Sequence, residues 1–307
     1  MRSEYNMTYG LPKLREIDPD RIERFRRDGF LVFERVLSDD RIHALRGRFP
    51  KLFAGEFDTG VYPDEWYWRE GMSLPDVTRH MSNAWKADLT VARLALSADI
   101  GRAACALTGW SGIRLGVDTI WWKPAGAKSV TLHQDSSFMD YLDPPQTVTC
   151  WFTLDDTHRD AGTLEYIPGS HQWPLTPIPE DFHAPDDHRG PMRFAAEQAG
   201  IAPPEPHFVE VPAGSCVIHA GEIWHGSGPN AAGDRMRRSI GVHMVPQEAR
   251  FSERPGGYVY RRYQLTDDPR LNESFFPVLW RRDGPATDWI KPYCETGRRT
   301  AESRSAA

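Results

Sequence analysis

The chain has 307 residues, 40% hydrophobic and 26% charged, proportions that exclude a disordered or fibrous protein and allow a sizeable core. A formal charge of -6 leaves no basic footprint for nucleic acid or an anionic membrane, and no apolar run is long enough to span a bilayer, so a small-molecule substrate is favoured. Four scattered cysteines, Cys105, Cys150, Cys216 and Cys294, form no CxxC pair, which argues against a disulfide framework or structural zinc; with no apolar leader after Arg2, the cytoplasm is the expected compartment.

The first 110 residues read as mostly helical. Asp18 is an N-cap with Pro19 at the first helical position, and Gly29 stops that helix. A short strand follows at 30–33. Ser38 caps a second helix reaching about Phe49, and Asp88 opens a third helical region that runs, with a break, to about Leu107. Between them, 61–85 is irregular and carries Trp66, Tyr67, Trp68, Arg69, Arg79 and His80, a substrate wall or a packed loop.

From Ile113 the pattern turns to β. The segments 113–123, 147–153, 163–167, 207–211, 216–219 and 239–245 are short, β-branched or aromatic, and separated by Pro and Gly turn signals. That predicts a mainly β sandwich or barrel over 111–250 within a single domain, with 251–295 packing against it and 296–307 as a flexible tail. The interruption at 173–206, rich in Pro, Asp and His, is too long for a hairpin connection and is the candidate lid.

Two segments carry chemistry. His133 and Asp135 are two apart, so in a strand they project to one side while Gln134 points away. A lone HxD arises easily by chance in a chain with 11 His. A second imidazole from another strand completes the two-histidine, one-carboxylate set that holds non-haem Fe(II) with positions left open. His225, before Gly226-Ser227-Gly228, and His219, six residues earlier, are the two candidates.

These residues lie among others that resemble one family. Lys123-Pro124-Ala125-Gly126, His133-Gln134-Asp135, Trp151 to Asp156, Ala161 to His171, His225 to Asn230 and Arg237-Arg238-Ser239-Ile240 are similar, in order and spacing, to the phytanoyl-CoA dioxygenase (PhyH) family of Fe(II)/2-oxoglutarate-dependent oxygenases. The resemblance implies a double-stranded β-helix, or cupin-like jelly roll, with a helical N-terminal portion and iron at its open end. It implies His133, Asp135 and His225 as metal ligands and Arg237 as the partner of the distal carboxylate of 2-oxoglutarate, with Trp151 and Lys123 beside the cosubstrate. A guanidinium suits that role because its planar fork matches a carboxylate bidentately. Arg235 and Arg238 are its neighbours; strand alternation excludes Arg238 if Arg237 faces inward.

The reaction so implied consumes O2 and 2-oxoglutarate, releases succinate and CO2, and oxidises a C–H bond, most simply by hydroxylation. Asp135 argues against halogenation, since halogenases of this type carry Gly or Ala there. Desaturation, epimerisation and cyclisation stay open, as do a cupin-like iron enzyme without 2-oxoglutarate and an inactive jelly-roll binding protein. Natural-product metabolism is the preferred setting, with a monomer or homodimer, because no basic cluster serves a CoA phosphate. The aromatic and basic residues of 61–80, among them Trp68, Arg69 and Arg79, the segment 173–206, and Tyr258, Tyr260, Arg261 and Arg262 are candidate contacts for a carboxylate-bearing or polycyclic substrate.

Overall fold

The computed structural model describes residues 10–254 and 256–296. The N-terminal hexapeptide and the tail beyond Thr296, both read above, lie outside the described residues. In chain order the elements are α1 (Pro19–Asp28), β1 (Phe30–Phe33), α2 (Asp39–Phe53), β2 (Glu65–Trp66), β3 (Arg79–Ser82), α3 (Leu89–Ala95), α4 (Ala98–Thr108) and β4 (Gly112–Lys123). There follow β5 (Val130–His133), β6 (Leu142–Asp143), β7 (Val148–Thr153), β8 (Leu164–Tyr166), α5 (Gly190–Gln198), β9 (His207–Phe208), β10 (Cys216–Ala220) and β11 (His225–Ser227). The chain closes with β12 (Arg237–Pro246), β13 (Arg250–Phe251), α6 (Tyr258–Arg261), β14 (Val278–Arg281) and α7 (Ile290–Thr296).

The helix starts follow from local chemistry. The Asp18 carboxylate accepts from the Arg21 N–H at 2.8 Å and Ser38 Oγ from that of Arg41 at 3.4 Å. Asp88 accepts from the N–H groups of Thr90 and Val91, at 2.8 and 3.0 Å, so each side chain satisfies donors that the first helical turn leaves unpaired.

The main sheet runs β1-β10-β7-β12-β4-β3-β2, with β14 also on β4. The second runs β5-β11-β8-β9, and β13-β6 is a separate ribbon. The expectation of a mainly β jelly roll is corrected here. Helices make up 28% and strands 24% of the chain, a mixed α/β fold. Among the described residues no ladder joins the two large sheets, so neither is closed into a barrel. Closure needs edge strands long enough to pair around the ring. Here the edge strands β9 and β2 have two residues each.

Alternation along the main sheet separates two environments. Ile120, Cys150, Phe152, Ile218, Ile240 and Val242 face the helical layer and join its core. Thr119, Trp121, Thr149, Trp151, His219, Arg237 and His243 face the other way, into a cavity whose far wall is the second sheet. Helix α2 clamps the helical layer to the sheet: Phe49 and Phe53 lie 6.4 and 6.0 Å from the Trp122 ring, and Phe49 is fully buried. Truncation there leaves a cavity on the side away from the site. Phe49→Ala is expected to lower unfolding stability by about 3–5 kcal/mol, read from denaturant midpoints, while leaving metal affinity unchanged.

Candidate metal centre

His133 ends β5 and His225 begins β11, and the antiparallel register sets them directly opposite each other. Their rings lie 4.4 Å apart. The bend after His225, where the register shifts before Ser227, requires Gly226: a Cβ at that position would meet the Leu132 Cα at 2.9 Å. Asp135 does not continue the strand. It opens a 3-10 turn spanning Asp135–Met139, which swings its carboxylate back toward both imidazoles. Asp135 Oδ1 is 3.4 Å from His133 Nε2 and 3.6 Å from His225 Nε2.

The hydrogen bonds fix which atoms converge. His133 Nδ1 lies 2.8 Å from the Thr131 carbonyl and His225 Nδ1 3.0 Å from that of Ile223, so each Nδ1–H donates to backbone and each Nε2 lone pair is presented to the centre. Asp135 Oδ2 is occupied on its other side. It accepts from the Thr149 hydroxyl at 2.6 Å and faces His219 Nε2 at 3.1 Å and His243 Nδ1 at 3.2 Å. His219 Nδ1 in turn meets the Tyr166 hydroxyl at 2.8 Å. One carboxylate oxygen is thereby spent on orientation and the other left for a metal. One ligand atom from each of His133, Asp135 and His225 lies within 4.8 Å of the others, and all three residues are buried.

The electrostatics favour a cation. Burial opposes ionisation of Asp135, yet the neighbouring His243 and the hydrogen bond from His219 hold its carboxyl well below the usual range. Burial drives the His225 imidazole well below its usual value, against the pull of Asp135. The centre thus presents an ionised carboxylate and a neutral imidazole, the protonation states that ligate a divalent metal.

Of the three clustered arginines, only Arg237 enters the cavity. Arg238 pairs with Asp155 at 2.7 Å and Arg235 with Asp160 at 2.8 Å. The Arg237 guanidinium is buried, sits 5.5 Å from the Trp151 ring centre, and has Ser239 Oγ at 3.3 Å. Its Nε has no partner, and burial lowers its pKa to about 10. A buried cation with an unmet donor, in the cavity that holds the metal ligands, is a cradle for a carboxylate and fits 2-oxoglutarate. Lys123 differs from its expected place. It is absent from the cavity wall, and its ammonium donates to Ser227 Oγ at 2.9 Å and to the Gly228 carbonyl, tying β4 to the turn after β11.

The cavity has a volume of about 290 Å³. The segment 173–206 does cover it, through Phe182, whose ring meets His133 at 4.8 Å, and through His183. The substrate contacts read from 61–85 are partly corrected. Trp68 and Arg79 belong to the helical side, where the Arg79 guanidinium lies 3.8 Å from the Trp68 ring centre and 4.2 Å from that of Trp122. Arg69 lies over Trp66. Tyr67 and His80, also among the candidates, do face the cavity, and so does Glu65, which is not among them. Of the C-terminal candidates Tyr260 lines it, while Arg261 serves backbone carbonyls and Arg262 pairs with Asp64. Sequence reasoning also missed His243 as a cavity residue. The signal was available, since 237, 239, 241 and 243 share one face of β12.

His80 gives a pH prediction. Burial takes its pKa from 6.5 to about 3, with His183 and His243 adding to the shift. The unfolded chain therefore takes up a proton that the folded one refuses, so stability present above pH 6.5 is lost as pH falls toward 3. Melting temperature is expected to fall between pH 7.5 and 5, and less steeply in His80→Phe; equal slopes in the two proteins would contradict this account.

Comparison with known proteins agrees with this geometry. Residues 25–239 match the phytanoyl-CoA dioxygenase (PhyH) family. A phytanoyl-CoA dioxygenase of Arabidopsis thaliana is 24% identical over 272 residues, covering 76% of this chain and 90% of that protein. Phytanoyl-CoA dioxygenase 1 of Oryza sativa subsp. japonica is 29% identical over 131 residues, 42% of this chain and 43% of that protein. The solved structure of SnoN, a non-haem alpha-ketoglutarate-dependent epimerase from nogalamycin biosynthesis, shares the fold with a TM-score of 0.66 at 24% identity, over 86% of this chain and 100% of the other. Since the family match spans more than half of the sequence and its ligands meet at one buried point, the protein belongs to the PhyH family of Fe(II)/2-oxoglutarate-dependent enzymes, with His133, Asp135 and His225 as its facial triad.

Proposed function

We propose that the protein hydroxylates an unactivated C–H bond of a small molecule in natural-product metabolism, with 2-oxoglutarate as cosubstrate. The observation that carries the cosubstrate assignment is Arg237, a buried cation with an unpartnered Nε in the triad's own cavity. Bound Fe(II), with 2-oxoglutarate and O2, supplies the oxidising chemistry, yielding succinate and CO2. The chain's residues do the rest. His133, Asp135 and His225 would hold the iron, and a three-ligand set of this kind would leave room for the cosubstrate. Arg237 anchors the distal carboxylate, which sets where the keto acid's other end points. Trp151, Phe138 and Phe182 line the cavity with apolar surface and keep bulk water from it.

The similarity to an epimerase of antibiotic biosynthesis supports the natural-product setting. The four unpaired thiols support a reducing compartment such as the cytoplasm.

The test is an anaerobic titration with Fe(II) and 2-oxoglutarate, following the weak visible charge-transfer band that chelation of the keto acid produces. The band is expected in wild type and absent in His225→Ala. In Arg237→Ala the 2-oxoglutarate concentration needed should rise by roughly 30-fold or more, the lower bound for truncating one side of a buried charged pair. Iron binding without a band would overturn the cosubstrate assignment in favour of a cupin-like iron enzyme, and failure to bind iron would overturn the triad.

A further inference from the structure

One charge in the cavity wall is unaccounted for. At the inner end the charges of Fe(II), 2-oxoglutarate, Asp135 and Arg237 cancel. At the outer end stands Glu65, on β2. Its chain neighbour Asp64 is neutralised twice over, by Lys86 at 2.8 Å and Arg262 at 2.8 Å. Glu65 lies on the cavity side and, among the described residues, forms no ion pair with any Lys or Arg. Its carboxylate oxygens accept instead from the hydroxyls of Tyr67 and, at 2.8 Å, Tyr260. The imidazoles on this wall do not supply the missing charge: burial holds His80 at about 3 and lowers His183 below its ordinary value, so both are neutral at pH 7.

The surroundings of Glu65 are aromatic. Tyr67 stacks on His80 at 5.3 Å with an interplanar angle of 8°, and His80 on Trp121 at 4.0 Å with 24°. Tyr260, backed by Tyr141 at 5.6 Å, closes the other side of the carboxylate. His80 Nδ1 is buried without a partner, a further polar atom awaiting a ligand. A carboxylate held by two tyrosine hydroxyls, with a stack of aromatic rings beside it, is a recognition pattern for an organic ammonium, which gains from both the charge and nearby π-clouds. The apolar remainder of the wall suits a flat, ring-bearing body.

We propose that the substrate is an apolar, ring-bearing molecule with a protonated amine, seated with its ammonium at Glu65 between Tyr67 and Tyr260. The assignment rests on the oxygenase reading of the same cavity, since it places the body of the substrate between Glu65 and the triad. Glu65 is then a specificity residue and takes no part in the chemistry.

A matched pair of fluorescent probes tests it: 2-naphthylmethylamine and the isosteric 2-naphthylmethanol, titrated anaerobically at pH 7 into protein loaded with Fe(II) and 2-oxoglutarate. Wild type is expected to bind the amine about tenfold or more tightly than the alcohol, from one charge-assisted contact plus cation–π attraction. In Glu65→Gln that preference should vanish while the alcohol binds as before, which also reports that the variant cavity is intact. Equal affinity of wild type for the two probes, or a preference that survives in Glu65→Gln, overturns the proposal. The visible band of the Fe(II)–2-oxoglutarate chelate, recorded on the same samples, separates the two readings. Its presence without amine preference overturns the amine alone; its absence alongside a Glu65-dependent preference overturns the oxygenase reading and leaves the ammonium site supported.

Discussion

The pairing of His133 with His225 across β5 and β11 is the constraint on which the site depends. A register slip of one residue would turn one imidazole out of the cavity and bring Leu132 or Gly226 in its place. Leu132, Ile167, Trp224 and Met192 pack together on the outer side of that sheet and penalise such a slip, because it would bury polar groups and expose apolar ones. The second sheet is short, and its alignment is held by the Leu132 cluster together with the buried Glu165 and its partners His188 and Arg189. Metal geometry is thus inherited from strand pairing, with only Asp135 positioned by a turn.

That turn-borne ligand is steadied by its surroundings. Three donors converge on Asp135 Oδ2, from β7, β10 and β12, so the main sheet orients the carboxylate while the second sheet supplies both imidazoles. The site exists only where the two sheets face each other. Neither sheet carries it alone, which explains why the ligands are so far apart in the chain.

Much of this was legible in the sequence because it rests on period-two alternation and local capping. The helix starts at Asp18, Ser38 and Asp88, the strands read at 113–123 and 239–245, and the separation of Arg237 from Arg238 all follow from rules that act over a few residues. What failed was non-local. Nothing in the residues at 61–80 says which face of so short a strand turns inward, so Trp68 and Arg79 are read toward the substrate together with Tyr67 and His80, and the acidic Glu65 is left out. Lys123 has the composition of a ligand-binding cation, but its reach to Ser227 depends on how β4 ends beside β11. The expectation of a closed jelly roll failed similarly, because strand content does not reveal whether sheet edges meet, nor how much of the chain the flanking helices claim.

Gln134, the residue between two ligands, ties the metal turn to the covering segment. Its side-chain oxygen accepts from the N–H and the hydroxyl of Thr176, and its nitrogen donates to the Glu222 carbonyl at 2.8 Å. The strap over the cavity is therefore fastened to the residue that lies between two of the metal ligands, so a displacement of the strap would pull on the turn that carries Asp135. Beside the strap, where the Tyr67 ring lies 6.3 Å from that of His183, Tyr67 is 56% exposed. Strap and aromatic rim thus share one edge of the cavity, and the turn that bears Asp135 is coupled through Gln134 to whatever the two enclose.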